Sequence, residues 1–509
     1  MKHTLPLSIL ITGLGAAVSQ IANADFTKLG SQFETELQQR AAATTQAVYD
    51  QLLAQGCEES FGEFETIPEG NGTEPTASFT TNKSFIAGVG AQPVFSCTGS
   101  TLVVWENVRK LVHTANELTN SGPTDASLSL DIDGLAAALQ WTAGEEYSTQ
   151  ESMTKSFNSA QQANLQTRIA ALKASSPALA HHASVSASGL NAGDTASDQW
   201  SPWGGFLNGS YNTGEQKISA LENGFDLDGS EINAGLDYRL NSNWIVGGLI
   251  GYREQDIKFD VNSGAVDGKV NMQGWSILPF LLFQNDQWYS SLSAGYQWND
   301  FSTRRDVQFD SQNINVEGAD TQAKSTNDSN TVTANWAGGY SFQVNDAFSI
   351  EPSIGINYQK VSIGDYTESD ANQAGYNLFI EAQTIKSLES YFALKAQYVV
   401  NTEHGVYIPY VEIQTVGQKE TDTRYVKASY AEIQDFISGD ALFSLPTNRP
   451  DSDYKVFEFG VAAVLRGASQ STLNGPAAGG IQAFLNYREL ADMGIYNQKT
   501  ISGGIRYEF

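Results

Sequence analysis

Several absences narrow this sequence before any motif is considered. Beyond Val18 the 509-residue chain has no uninterrupted apolar run of about 20 residues, the length a membrane-crossing helix needs. Basic residues are scarce: 29 Lys and Arg against 57 Asp and Glu leave a formal net charge of -28. Phosphates repel such a surface, so nucleic-acid binding is excluded. Only two cysteines occur, Cys57 and Cys97, and no Cys/His cluster supports a zinc site. No G-x-S-x-G stands near a plausible His and Asp, which removes an esterase.

The first residues point to export. Lys2 and His3 form a short positive region, Leu5 to Val18 an apolar one, and Ala22-Asn23-Ala24 a small-x-small cleavage pattern. Residues 1–24 read as a signal peptide for the general secretion machinery, cleaved between Ala24 and Asp25. In an exported chain, Cys57 and Cys97 are most simply one disulfide.

Composition changes near residue 199. Seven of the nine Trp and nineteen of the 21 Tyr lie beyond it, after a small-residue linker that contains His181 and His182. Beyond Trp203 nearly every segment alternates apolar and polar residues, as strands with two different faces do. "EINAGLDYRL" opposes Ile232, Ala234, Leu236, Tyr238 and Leu240 to Asn233, Gly235, Asp237 and Arg239. "VTANWAGGYSF", "FSIEPSIGINY" and "VFEFGVAAVLR" repeat the pattern. Runs of about ten residues are twice the usual globular strand, and tilted they span a bilayer.

Twelve such strands are expected, near 203–217, 225–241, 244–259, 269–284, 287–304, 330–344, 347–364, 376–400, 405–418, 454–466, 480–490 and 499–509. The fourth ("WSILPFLLF") is apolar on both faces, so its register stays open. Short turns follow even strands and long polar loops follow odd ones, the longest between Gly417 and Asp453; the 14-residue "GASQSTLNGPAAGG" before the eleventh breaks the rule. That rhythm is the one of short periplasmic turns and long extracellular loops. A soluble sandwich explains neither strand length nor loop rhythm. The expected fold is therefore an all-β C-terminal transmembrane barrel of twelve antiparallel strands over residues 200–509, preceded by mainly α-helical sequence.

Alternation also assigns faces. Ile501, Ile505, Tyr507 and Phe509 should meet outer-membrane lipid, with Trp203, Trp244, Trp288 and Phe348 in interfacial girdles. Arg239, Glu351, Glu412, Glu458, Arg466, Arg488, Arg506 and Glu508 should face the lumen. Twelve strands leave room for about one helix, between the filled eight-stranded barrel and the open sixteen-stranded one. Residues 147–173 supply a candidate: strong helix formers, no Pro or Gly, and a thin stripe of Met153, Phe157, Ala160, Ile169 and Leu172. At 1.5 Å per residue it reaches roughly 40 Å, enough to cross the barrel, with a solvated stalk as the alternative.

A signal peptide, an N-terminal segment, a polar helix and a twelve-stranded barrel closing on "IRYEF" resemble a type V autotransporter; "WGGFLNGSY", "GLDYRL" and "WIVGGLIGY" carry the likeness through the barrel. The resemblance implies that the barrel anchors the protein in the outer membrane and that the helix is the tail of an exported passenger. It implies further that the barrel-assembly machinery recognises the last strand through Ile505, Tyr507 and Phe509. Two departures stand out. There is no β-helical passenger repeat, and where self-cleaving members carry an Asn-Asn pair, Asn158 and Asn164 stand apart, so the passenger is expected to stay attached.

That passenger, residues 25–146, reads as a disulfide-stapled hairpin of two amphipathic helices, with residues 147–199 as pore helix and linker. The first helix carries Phe26, Leu29, Phe33, Leu37, Val48 and Leu52 and stops at Gly56; the second carries Val104, Val108, Leu111, Ala115 and Leu118 and stops at Gly122-Pro123. Between the cysteines lies an acidic, Gly-rich loop. No catalytic, cofactor-binding or metal-binding residue is expected, and the protein is read as no enzyme. His113 with Glu117 four residues on reads as a polar pair on a helix, and "SLDIDG" (129–134) lacks the closing Glu of a calcium loop. The barrel's only histidine, His404, falls in a periplasmic turn, away from where a barrel phospholipase would act. Two functions remain: a translocator presenting the passenger to an unidentified surface ligand, for adhesion or surface interaction, or a plugged barrel gating a small-solute pore.

Overall fold

A computed structural model describes residues 26–57, 95–174, 202–259, 267–285, 287–402, 404–419, 424–448, 453–466 and 481–508. The signal peptide with Ala24 and Asp25, the acidic loop between the cysteines, the linker histidines and Phe509 lie outside them.

Twelve long strands form the barrel: β1 Trp203–Gln216, β2 Phe225–Arg239, β3 Trp244–Phe259, β4 Lys269–Gln284, β5 Trp288–Phe309, β6 Ala319–Tyr340, β7 Phe348–Ile363, β8 Gln383–Tyr398, β9 Gly405–Gln418, β10 Asp453–Arg466, β11 Ile481–Met493 and β12 Tyr496–Glu508. Each pairs antiparallel with its chain neighbours, and β12 returns to β1, Leu207 opposite Ile505 and Tyr211 opposite Ile501. Closure removes every free edge, the condition for a sheet in lipid, where unpaired backbone groups find no water. Among the described residues no helix is long and apolar enough to cross a membrane; the strands do so.

Alternation settles the two faces. Ile232, Leu236, Ile250, Ile354, Phe459, Ile501, Ile505 and Tyr507 point outward and are exposed, whereas Asn233, Asp237, Ser502, Arg506 and Glu508 are buried inside. Aromatic pairs mark both rims of the outward band. Trp203–Tyr238 and Trp244–Phe283 sit at the short-turn rim, Tyr252–Trp275 and Tyr296–Trp298 nearer the long loops. Eight residues separate Trp244 from Tyr252 and ten separate Trp288 from Trp298. At about 3.3 Å per residue and a tilt of about 40°, that is roughly 20–25 Å, the height of an outer-membrane apolar band.

β5 and β6 run past the outer rim, to Phe309 and from Ala319, further than the expected 304 and 330. The expected eighth strand, 376–400, divides: Gln383–Tyr398 enters the barrel, where Val400–Thr402 continues the pairing with β9, and Leu378–Ile380 turns away into a second sheet. That sheet orders Phe443–Thr447, Arg424–Tyr430, Leu378–Ile380 and Tyr366–Thr367 above the mouth. The loops expected to be merely long and polar thus hold an apolar interior, with Val426, Leu378 and Phe443 buried. The β11–β12 connection is a tight hairpin rather than a long loop, because β11 continues to Met493 before Gly494 turns the chain.

The helices differ from expectation at their ends. The first breaks after α1, Phe26–Leu29, and restarts as α2, Glu36–Gln55. Thr35 and Gln38 form a capping box there, which fixes the restart within an otherwise continuous apolar spacing. α3, Ser100–Thr119, stops at Asn120 in the left-handed region, ahead of the expected Gly122-Pro123. A third helix, α4 at Ile132–Ala143, was outside the expected hairpin; Asp131 caps it by accepting from the Gly134 N–H. Cys57 and Cys97 are bonded, with Cα atoms 5.3 Å apart, joining the end of α2 to the start of α3. The pore helix is α5, Gln150–Ala174.

Candidate functional site

The lumen is the site the fold builds. α5 starts at the long-loop end, where Gln150 Nε2 donates to Asn327 Oδ1 at 3.0 Å, and descends to Arg168, which pairs with Asp237 at the foot of β2. Its 25 residues extend about 37 Å, enough to thread the barrel. The solvated-stalk alternative is therefore set aside.

The helix meets the wall in two ways. Met153 and Phe157 pack among Phe225, Ile257, Met272 and Phe301 in the outer half. Leu165, Ile169 and Leu172 pack among Phe206, Leu249, Leu278, Phe280 and Leu282 in the inner half. The second contact explains why β4 is apolar on both faces: one face meets lipid and the other meets the helix. Between these clusters the contacts are polar. Gln161 Nε2 donates to Glu231 Oε1 at 3.0 Å and to Asn233 Oδ1 at 2.6 Å, and Asn164 Nδ2 donates to Glu231 Oε1 at 2.9 Å. Asn158 Nδ2 reaches Gln359 Oε1 at 3.1 Å. Both isolated asparagines are thus buried and hydrogen-bonded to the wall.

Charges inside the barrel occur in partnered sets. Arg253 bonds Glu231 at 3.1 Å, Ser156 at 2.9 Å and Asn212 at 2.8 Å. Arg506 reaches Asp237 at 3.1 Å and also pairs with Glu508. Lys395 and Glu412 are 3.0 Å apart, Tyr410 donates to Glu458 at 2.7 Å, and Arg488 donates to Ser159 at 3.2 Å. Burying a charge is costly unless it is paired, so this wall is built for a polar helix or for water. The side chain of Arg466 is outside those described. Beside α5 a cavity of about 70 Å³, open on one side, is bounded by Lys155, Glu389, Tyr454, Met493 and Tyr496.

At the outer mouth, Glu145 and Glu146 join α4 to α5 and are both buried. Glu145 accepts from Asn223 Nδ2 at 2.9 Å and from Gln140 Nε2 at 3.3 Å. Burial pushes its carboxyl up to about 7, against the hydrogen bonds that favour its charged form. Burial likewise lifts Glu146 to about 8, with Arg305 opposing. Sequence reading did not single out this pair, since no local pattern signals that "GEE" lies at a buried joint.

His113 is fully buried. Its Nδ1 accepts from the Ala126 N–H at 3.1 Å and lies 3.3 Å from Asp125, while Glu117, its expected partner, bonds Ser127 and Ser129. Burial, helped by Arg109, lowers it to about 4, so it is neutral at physiological pH. His404 is exposed in the β8–β9 turn at the other end. Among the described residues no three His, Cys, Asp or Glu side chains gather to hold a metal.

The Autotransporter beta-domain family matches residues 205–475, from β1 to the segment beyond β10. The chain is an autotransporter. No curated protein sequence matches it. Among solved structures, this autotransporter is similar to the translocator domain of NalP from Neisseria meningitidis, with a TM-score of 0.43 and 13% identity over 69% of this chain and 98% of that one. It is similar also to the β domain of the Bordetella autotransporter BrkA, with a TM-score of 0.39 and 16% identity over 60% of this chain and 99% of that one. The transport unit of AIDA-I from Escherichia coli gives a TM-score of 0.37 and 12% identity, over 66% of this chain and 99% of that one. As an autotransporter with a closed twelve-stranded barrel, the protein resides in the outer membrane.

Proposed function

We propose that this autotransporter displays residues 26–149 at the cell surface as a small, permanently attached interaction domain, and that it performs no catalysis. The observation that carries this reading is the direction of α5. Its N-terminal end is at the long-loop mouth and its C-terminal end, near Asp237, Arg506 and Glu508, is at the short-turn rim. Everything before Gln150 therefore emerges on the outer side. Asn158 and Asn164 support retention, since each is hydrogen-bonded to the wall without an asparagine neighbour in the helix. Adhesion to another surface is the role we assign to the domain. The general secretion machinery and the barrel-assembly machinery are its expected partners on the way out, the latter through the lipid-facing stripe of β12 with Ile505 and Tyr507.

An epitope tag placed ahead of Phe26 tests display. Antibody should label intact cells, and labelling that needs permeabilised cells would overturn it. Attachment of cells to abiotic and cellular surfaces, with and without residues 26–146, tests adhesion. A fragment of the passenger in culture supernatant would contradict retention.

A further inference from the structure

We propose that the loops crowning the barrel are the folding template of the passenger, so that residues 26–149 form a stable domain only when docked on the second sheet. This rests on the display reading above and adds a function to the barrel beyond anchoring and export.

The passenger and the loops share one apolar core. Leu52, Val108 and Leu139 belong to the same buried cluster as Leu378, Tyr430 and Phe443. α2 divides its surface between two partners. Toward the other helices it presents Gln38, whose Nε2 donates to Gln140 at 3.0 Å, and Tyr49, stacked on Trp105 at 4.9 Å. Toward the loops it presents Arg40, Thr44, Gln51 and Gln55, spaced four, seven and four apart and so on one helical face. Arg40 lies 4.3 Å above the Tyr425 ring, Gln51 Nε2 donates to the Ser438 carbonyl at 2.8 Å, and Gln55 Nε2 donates to the Phe436 carbonyl at 2.6 Å.

Backbone groups are completed across the same boundary. The Glu36 N–H donates to Ala220 O at 2.8 Å, the Gln312 N–H donates to Leu128 O at 2.9 Å, and Asn107 Nδ2 donates to Ala374 O at 2.6 Å. Each such bond made across the boundary favours the docked form over a free one. Arg305 fixes the assembly from below. It grips Glu368 through Nε at 2.8 Å and Nη2 at 2.5 Å, the Tyr376 carbonyl at 2.6 Å and the Trp141 carbonyl at 3.0 Å. One buried guanidinium thereby joins β5, the β7–β8 loop and α4. Two glycines show how closely the parts approach. A Cβ on Gly375, at φ +74, would stand 2.8 Å from Val103, and one on Gly144, at φ +73, would stand 2.7 Å from Leu378. The three helices turn part of their apolar surface to the loops rather than to one another, and the second sheet supplies that wall.

The test uses the full chain in the outer membrane. In L378D/F443D, both substitutions lie outside the bilayer and inside the shared core. The barrel band should remain heat-modifiable on gels and the tag ahead of Phe26 should still label intact cells. Added protease should then digest the passenger at least tenfold faster than in the parent, with L378M/F443L unchanged. Parent-like resistance in L378D/F443D would overturn the template, because the passenger would be folding alone. A folded barrel with an unlabelled tag would instead overturn display. Tyr430→Asp, with the same readouts and outcomes, carries the test if the double variant does not insert.

Discussion

Arg253 on β3 and Glu231 on β2 face each other across 3.1 Å inside the barrel, neither side chain reaching solvent. Glu231 is also the residue that holds the pore helix, through Gln161 and Asn164. Removing it should do two things. Arg253 keeps a buried charge without its counterion, and α5 loses two hydrogen bonds. Breaking a buried pair costs about 3–5 kcal/mol. Glu231→Ala should therefore lower the midpoint of heat-induced barrel unfolding, followed by gel mobility. The double change E231L/R253M should recover most of the loss, since it removes both charges at once. An E231A midpoint equal to the parent's would show that the pair contributes nothing.

Gly251 lies where α5 closely approaches the wall. A Cβ there would meet Gln161 Nε2 at 2.2 Å and Asn233 Oδ1 at 2.3 Å. Gly251→Leu should displace the helix rather than the strand, because the strand is held by ladders on both sides. In planar bilayers the parent should be nearly silent, the variant should show intermittent ion currents, and deletion of residues 150–174 should show steady ones. A silent deletion variant would mean that something other than α5 closes the lumen.

What the sequence disclosed, and what it hid, follows from the range of the interactions involved. Ile501, Ile505 and Tyr507 could be assigned to lipid because alternation is a property of the chain's own backbone, and the structure leaves all three exposed. The register of β4 could not be assigned from β4 alone. Its second apolar face answers to Leu165, Ile169 and Leu172, which are more than one hundred residues away in sequence. Leu378–Ile380 was read as part of the eighth strand because its period runs on into Gln383; only pairing with Arg424–Tyr430 draws it into another sheet. At the site, Arg506 and Glu508 were readable as lumen residues. That Arg506 also pairs with Asp237 depends on closure of β12 against β1, which no local pattern encodes. Helix α4 was within reach, since Asp131 precedes "IDGLAAAL" as a cap precedes an apolar run.

The disulfide should support the docked passenger. It spans a separation of 40 residues, and closing a loop of that length stabilises by about 4 kcal/mol in the chain-entropy model. Cys57→Ser with Cys97→Ser should leave the heat-modifiable barrel intact while the passenger becomes far more sensitive to protease, and dithiothreitol should do the same to the parent. Barrel and passenger losing stability together would mean that the bond acts on the whole molecule, which its position between α2 and α3 argues against.

Glu145 and Glu146 give the docked passenger a pH dependence whose sign can be stated. Both are buried at the joint between α4 and α5, and both have carboxyls raised by that burial, to about 7 and about 8. The charged groups facing them are Glu222 for Glu145, and Arg305 and Glu368 for Glu146. A carboxyl whose folded value lies above its unfolded one holds its proton more tightly in the folded state. The resulting stability is complete below about 4.5 and is lost as pH rises through 7 and 8. Glu222, also raised by burial, acts in the same direction. His113 acts oppositely, but its lowered value of about 4 confines its loss of stability to acid below its ordinary range near 6.5. Between about pH 6.5 and 8 the glutamates should therefore dominate, and the passenger should become easier to proteolyse as pH rises, levelling off above about 8. Glu146→Gln removes the larger of the two numbered shifts without changing shape, so it should flatten that rise and raise resistance at pH 9. Resistance in the parent that is level from pH 6 to 9, or a Glu146→Gln variant as pH-sensitive as the parent, would show that the joint is not what the proton controls.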